Sequence, residues 1–141
     1  MTRQKGTYRV SASVSCMDLM NLEQHMEQVQ QTDIDFYHYD VVDGIFNRCF
    51  ILGDLLLEKI KPYASIPIEA HLAVYEPERY LSRFADADYI AVHYEAMDHP
   101  LQIFDKIRSY GAQPILAYKA STVPGDDFIA LAKECPWVLK L

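Results

Sequence analysis

His38 and Asp40 lie two residues apart in the run "FYHYDVVDG" (36–44), and His71 sits in "IEAHLA" (68–73). Both runs are otherwise mostly apolar or aromatic, as buried strands are. Residues two apart on a strand share a face. Two imidazoles and a carboxylate presented this way suit Zn2+, Fe2+ or Mn2+, with positions left open for a substrate. The structural alternative is a pair of hydrogen-bonded core histidines, with Asp40 capping a loop. Unpaired ionisable groups are costly in a buried strand, which favours the functional reading.

Other polar residues stand beside these. His93 and Glu95 repeat the His-x-acid spacing in "YIAVHYE" (89–95), either as ligands or as a hydrogen-bonded support for ligands. Ser13 lies in "YRVSASVS" (8–15), where a serine alone says little. Asp43 and Gly44 form a turn dipeptide after the second run. His25 and His99 fall in helix or loop positions and are read as solvated. No G-x-S-x-G nucleophile signature is present.

These residues need a scaffold, and the pattern around them supplies one. Strand-like runs occur at 8–15, 35–42, 66–73, 89–95, 114–119 and 137–141. Helix-like stretches separate them at 17–31, 52–64, 76–87, 99–111 and 125–135. Leu19, Leu22, Met26 and Val29 share one helical face, as do Leu56, Ile60 and Tyr63. Pro77 and Pro100 suit first helical turns, and Gly111 suits a helix end. Strands alternating with helices imply a parallel sheet with right-handed crossovers. The first strand–helix turn lacks G-x-G-x-x-G, which weakens a dinucleotide-binding sheet. Polar groups in the second halves of successive strands describe a (β/α)8 barrel site instead.

Length and charge set the remaining bounds. A chain of 141 residues is one domain, but such a barrel usually needs about 200–250 residues. The sequence reaches only its sixth strand. A truncated chain, or an incomplete barrel that self-associates through its sheet edges, is expected. A net charge of −7 argues against a nucleic-acid partner. Three scattered cysteines, an N-terminus without an apolar segment and no apolar run of 18 residues point to a reduced, cytoplasmic protein without a signal or membrane span.

Four segments in order resemble the ribulose-phosphate 3-epimerase family. "VSASVSCMDLMNL" resembles its first strand and helix, and "HYDVVDGIF" its H-x-D-V-M-D-G-x-F motif. "IEAHLAVYEPERY" resembles D-V-H-L-M-V-x-x-P-E-R-Y, and "IAVHYEA" resembles the fourth strand ending in H-x-E. The resemblance runs from about Val10 to Leu141. It implies a TIM (β/α)8 barrel, of which residues 1–141 form a single partial domain covering the first six strands. It implies epimerisation at C3 of a ketose phosphate, D-ribulose 5-phosphate to D-xylulose 5-phosphate, through an enediolate. It implies a divalent metal (Zn2+, Fe2+, Mn2+ or Co2+) on His38, Asp40 and His71. Asp40 would also be one acid/base, and Ser13 and His71 would contact substrate.

Departures qualify that expectation. Val42 and Ala73 replace the motif methionines, which raises D-allulose 6-phosphate as a second substrate. The second aspartate, in V-D-G-G, and the late phosphate-binding loops have no counterpart in these residues. The chain alone is therefore expected to be inactive, and a non-catalytic remnant that binds sugar phosphate or assembles is the rival. The related D-x-K-x-x-D group is rejected, because Val42 and Ile45 stand where its lysine and last acid would be.

Overall fold

The computed structural model describes residues 8–141. The absence of a signal segment was read largely from residues 1–7, which lie outside that range. Six strands run parallel: β1 (Ser11–Ser13), β2 (Phe36–Asp43), β4 (Ile68–Ala73), β5 (Tyr89–His93), β6 (Gln113–Tyr118) and β7 (Val138–Lys140), in that order across one sheet. A two-residue strand, β3 (Phe50–Ile51), pairs antiparallel with the end of β2. Helices α1 (Leu22–Gln30), α2 (Asp54–Ile60), α3 (Pro100–Ser109) and α4 (Phe128–Ala132) lie in the crossovers.

The alternation along each strand separates two layers. Tyr37, Tyr39, Ile68, Ala70, Leu72, Ile90, Val92, Leu116 and Tyr118 point outward into a buried core with Met26, Leu57, Ile60, Phe104 and Ile107 of the helices. The outward tyrosines also tie the layers together. Tyr37 Oη donates to the Met26 carbonyl at 2.9 Å, and Tyr39 Oη to the Gly53 carbonyl at 2.6 Å. The opposite face carries Ser13, His38, Asp40, Glu69, His71 and His93.

That opposite face is concave. The Trp137 ring, just before β7, stacks on Phe36 of β2 with centroids 5.2 Å apart. Its Nε1 donates to Glu69 of β4 at 2.8 Å. Strands three and four places apart in the sheet meet this way only if the sheet curls. The result is a partial (β/α)8 barrel of six parallel strands, as the alternating pattern implies. Its open side forms a concavity of about 1060 Å3 at the N-terminal strand ends, lined by Arg9, Phe36, Ile66 and Trp137. The ionisable cluster lies toward the other ends of the strands.

Several elements are shorter than the periodicity predicts. The stretch 76–87 is two 3-10 turns, Pro77–Arg79 and Leu81–Phe84, entered through Glu76 in the left-handed region at φ 49°. Pro77, Leu81 and Phe84 are buried there without a continuous helix. Leu19 lies on a separate 3-10 turn capped by Asp18 and is 48% exposed, and Tyr63 also faces solvent. Leu57 takes the buried place on α2 beside Ile60. Among the described residues no helix is long and apolar enough to cross a membrane.

Candidate metal centre

β2 is a run of β-branched and aromatic residues held between two parallel partners, which suits a central strand. Its register sets His38 against Ser13 of β1 and Glu69 of β4, and Asp40 against His71. Asp40 becomes the hub. Its Oδ1 lies 3.0 Å from His38 Nε2 and 3.1 Å from His71 Nδ1. Its Oδ2 accepts hydrogen bonds from Ser13 Oγ at 3.1 Å and Ser15 Oγ at 3.0 Å. The two serine hydroxyls are themselves 2.9 Å apart. Ser13, His38, Asp40 and His71, separate in sequence, therefore meet on the concave face.

The far side of each imidazole is also engaged. His38 Nδ1 sits 2.7 Å from Glu69 Oε1, and Glu69 Oε2 accepts from Trp137 Nε1. His71 Nε2 is 2.8 Å from His93 Nε2, and His93 Nδ1 is 3.2 Å from Glu95 Oε2. Glu95 Oε1 accepts the Lys119 backbone N–H at 2.8 Å. Carboxylates accept, so when all three imidazoles are neutral, as metal binding requires, these contacts fix their tautomers. His93 donates from Nδ1 to Glu95, His71 donates from Nε2 to His93, and His38 donates from Nδ1 to Glu69. The remaining nitrogens, His38 Nε2 and His71 Nδ1, both face Asp40 Oδ1: protonated they donate to it, and deprotonated they offer lone pairs to an ion.

Charge follows the same logic. Burial opposes a charged His38, but its hydrogen bonds to Asp40 and Glu69 outweigh burial and hold its pKa up at about 9. Burial likewise opposes an ionised Asp40, yet hydrogen bonds from His38 and His71 hold its carboxyl well below the usual range. His93 goes the other way: burial and the neighbouring His71 push it down to about 4, so it is a neutral relay.

Several supporting residues were not singled out from the sequence. Glu69 stands two before His71 and is fully buried, so the rule that placed His38 beside Asp40 also marks it. Ser15 lies outside the strand, in the 3-10 turn Val14–Cys16. Trp137 is 68 residues from Glu69 in the chain, and nothing local announces that contact. His93 and Glu95 contact each other and lie outside the group of converging ligand atoms, and Glu95 lies in a 3-10 turn beyond β5. His99 is exposed.

Asp43 and Gly44 build the rim. Asp43 Oδ1 accepts the backbone N–H groups of Ile45 and Phe46 at 2.9 and 2.8 Å, and Oδ2 accepts that of Tyr75 at 2.6 Å. Gly44 has φ 76°, and a Cβ there would meet the Phe50 ring at 2.7 Å. This turn holds Phe46 over His93, with ring centroids 4.9 Å apart. A cavity of about 380 Å3 opens between them, lined among others by Phe46, Asn47, His71, Ala73, His93 and Lys119.

One ligand atom each from His38, Asp40 and His71 lies within 4.8 Å of the others. Ligands about 2.0–2.2 Å from a common ion are separated by comparable spans. Two oriented imidazole nitrogens and an ionised carboxylate fit a borderline divalent cation. The residues present therefore suit such an ion.

Comparison with known proteins agrees with this geometry. The model of the ribulose-phosphate 3 epimerase family matches residues 9–140. Ribulose-phosphate 3-epimerase of Methanocaldococcus jannaschii is 31% identical, over 81% of this chain and 49% of its own length. That of Bacillus subtilis is 32% identical, over 74% and 49%. The chloroplastic ribulose-5-phosphate-3-epimerase of Arabidopsis thaliana is 31% identical, over 77% and 40%. The chain thus spans about half the length, or less, of these relatives. Among solved structures, phospho-2-dehydro-3-deoxyheptonate aldolase of Thermotoga maritima overlays 90% of the chain at a TM-score of 0.64 and 16% identity, a likeness of fold alone. With most of its length matched and its inward histidines and aspartate in the motif positions, the chain belongs to the ribulose-phosphate 3-epimerase family.

Proposed function

We propose that this chain supplies the metal-binding part of a ketose-phosphate 3-epimerase, with D-ribulose 5-phosphate and D-xylulose 5-phosphate as the interconverted pair. The observation that carries this is the convergence of His38 Nε2 and His71 Nδ1 on Asp40 Oδ1 within 3.1 Å. We assign His38, Asp40 and His71 as ligands for Zn2+, Fe2+, Mn2+ or Co2+. A divalent ion bound there supplies stabilisation for negative charge building on the substrate oxygens.

The protein groups do the rest. Asp40, held ionised by its four hydrogen-bond donors, is ready to accept the C3 proton. Loss of that proton leaves a planar enediolate, and inversion needs proton return on the opposite face. One carboxylate cannot serve both faces, so we assign the full reaction to a barrel containing all eight strands. Ser13 fixes Asp40 and offers its hydroxyl to the substrate, while His71 borders both Asp40 and the cavity. The relatives' printed names support this reaction for the family.

Ala73 lines the cavity and favours one further substrate. A small side chain there leaves room for the longer D-allulose 6-phosphate. The test is C3 proton exchange into deuterated water, followed by NMR with each sugar phosphate and the metal-loaded chain. Exchange that disappears in Asp40→Asn supports the reading. Tight sugar-phosphate binding without exchange would replace it with a non-catalytic binding role. Sedimentation of the same sample reports whether the sheet edges drive self-association.

A further inference from the structure

β1 ends at Ser13, and the 3-10 turn Val14–Cys16 follows at once. Had the strand continued, Ser13 and Ser15 would stand about 6.6 Å apart along it. The turn folds Ser15 back instead. Val14 is fully buried, and the Met17 backbone N–H closes the turn on the Val14 carbonyl at 3.1 Å. The two serine Oγ atoms come to 2.9 Å from each other. Both reach the same atom, Asp40 Oδ2, Ser13 at 3.1 Å and Ser15 at 3.0 Å.

These three contacts have only two protons to share. A hydroxyl donates once and accepts through its lone pairs. When both serines donate to Oδ2, the contact between them carries no hydrogen bond. When one donates to the other, Oδ2 keeps a single donor. Asp40 Oδ2 is therefore supplied twice over, and one serine can turn away without leaving it bare. Ser13 lies on the strand, opposite His38 in the register, and faces the concave side. Ser15 is half-buried and fixed in the turn. Asp40 Oδ1 is engaged separately, by His38 and His71.

We propose that Ser15 is a positioning residue: it holds Asp40 Oδ2 so that the Ser13 hydroxyl is free to donate to an oxygen of the bound ketose phosphate. This rests on the ketose-phosphate reading and adds to it a residue that acts on the substrate only through Ser13. Without Ser15, Ser13 is the only hydroxyl left on Oδ2 among the described residues, and the sugar must compete with a carboxylate for its proton. A hydrogen bond to an ionised acceptor is the stronger one, so the carboxylate keeps it.

The experiment is a double-mutant cycle on the Zn2+-loaded chain, with Ser13→Ala, Ser15→Ala, both together, and Ser15→Thr. Thermal unfolding of each variant is recorded, and affinity for D-ribulose 5-phosphate is measured by calorimetry. Ser13→Ala and Ser15→Ala are each expected to weaken binding by roughly three- to tenfold, the scale of one hydrogen bond. In the Ser13→Ala background, Ser15→Ala is expected to cost less than about twofold more, because its effect passes through the missing hydroxyl. Ser15→Thr keeps the donor and is expected to bind as wild type does. An equal cost of Ser15→Ala in both backgrounds, as a merely structural role would give, overturns the proposal and leaves the ketose-phosphate reading standing. So does wild-type affinity in Ser13→Ala or Ser15→Ala, or a loss in Ser15→Thr as large as in Ser15→Ala. Failure of the wild-type chain to bind D-ribulose 5-phosphate overturns both.

Discussion

The Nε2 atoms of His71 and His93 lie 2.8 Å apart, both side chains almost wholly buried. Two facing imidazole nitrogens make a hydrogen bond only if one carries a proton and the other does not. The Glu95 carboxylate on the far side of His93 decides which, leaving His71 Nδ1 free to coordinate. His93→Phe keeps the ring and removes the acceptor. Its expected effect is a ten- to hundredfold weaker metal affinity, the usual order for loss of a partner behind a ligating histidine. Calorimetric titration with Mn2+ or Zn2+ measures it, and an unchanged affinity would dissolve the relay.

Glu69 plays the corresponding part behind His38, and Trp137 holds Glu69. Glu69→Gln is expected to lower metal affinity by about tenfold. Trp137→Phe preserves a ring against Phe36 but leaves a buried carboxylate oxygen without its donor. A stability loss of about 1–3 kcal/mol follows from that unpaired group. Calorimetric metal titration of Glu69→Gln and urea unfolding of Trp137→Phe check the two halves of the argument.

Gly44 sits where a left-handed backbone and a close ring contact coincide. Gly44→Ala is expected to destabilise the chain by about 1 kcal/mol or more, from the positive φ alone. The strain falls on the Asp43 turn, so Phe46 should loosen as well. A lowered Tm with faster amide exchange at Ile45 and Phe46 is the signature. Wild-type stability in this variant would show that the turn is not required.

Alkaline pH tests the outer core. Burial pushes the Tyr37 phenol up to about 12. Its unfolded value is about 10. The folded chain therefore holds the proton more tightly, and the stabilisation is complete below pH about 10. It is lost as pH rises from about 10 through 12. Absorbance titration of tyrosinate, followed alongside circular dichroism, should show late ionisation coupled to unfolding. Early ionisation without unfolding would place Tyr37 in solvent.

Much of this architecture is legible in the sequence because strand alternation is local. His38 and Asp40 share the concave face by a period-two rule that needs no partner information, and the parallel register of β2 and β4 brings His71 beside them. The parallel sheet followed from strands alternating with apolar-periodic stretches. Helix extent was less legible. At 76–87 three buried residues occupy separate 3-10 turns, and at 125–135 only Phe128–Ala132 is helical. Periodicity counts buried positions but not the hydrogen-bond spacing between them. Trp137 and Glu69 were hidden for another reason: their contact depends on the curl of the whole sheet.

The most direct measurement is metal stoichiometry of the purified chain with its three ligand variants. Titration with Mn2+ or Zn2+ should saturate at one ion per chain. His38→Ala, Asp40→Asn and His71→Ala should each weaken that binding by about a hundredfold or more, while exposed His99→Ala leaves it intact. A wild-type chain that binds no ion, or variants that bind as wild type does, would contradict the assignment of His38, Asp40 and His71 as a metal centre.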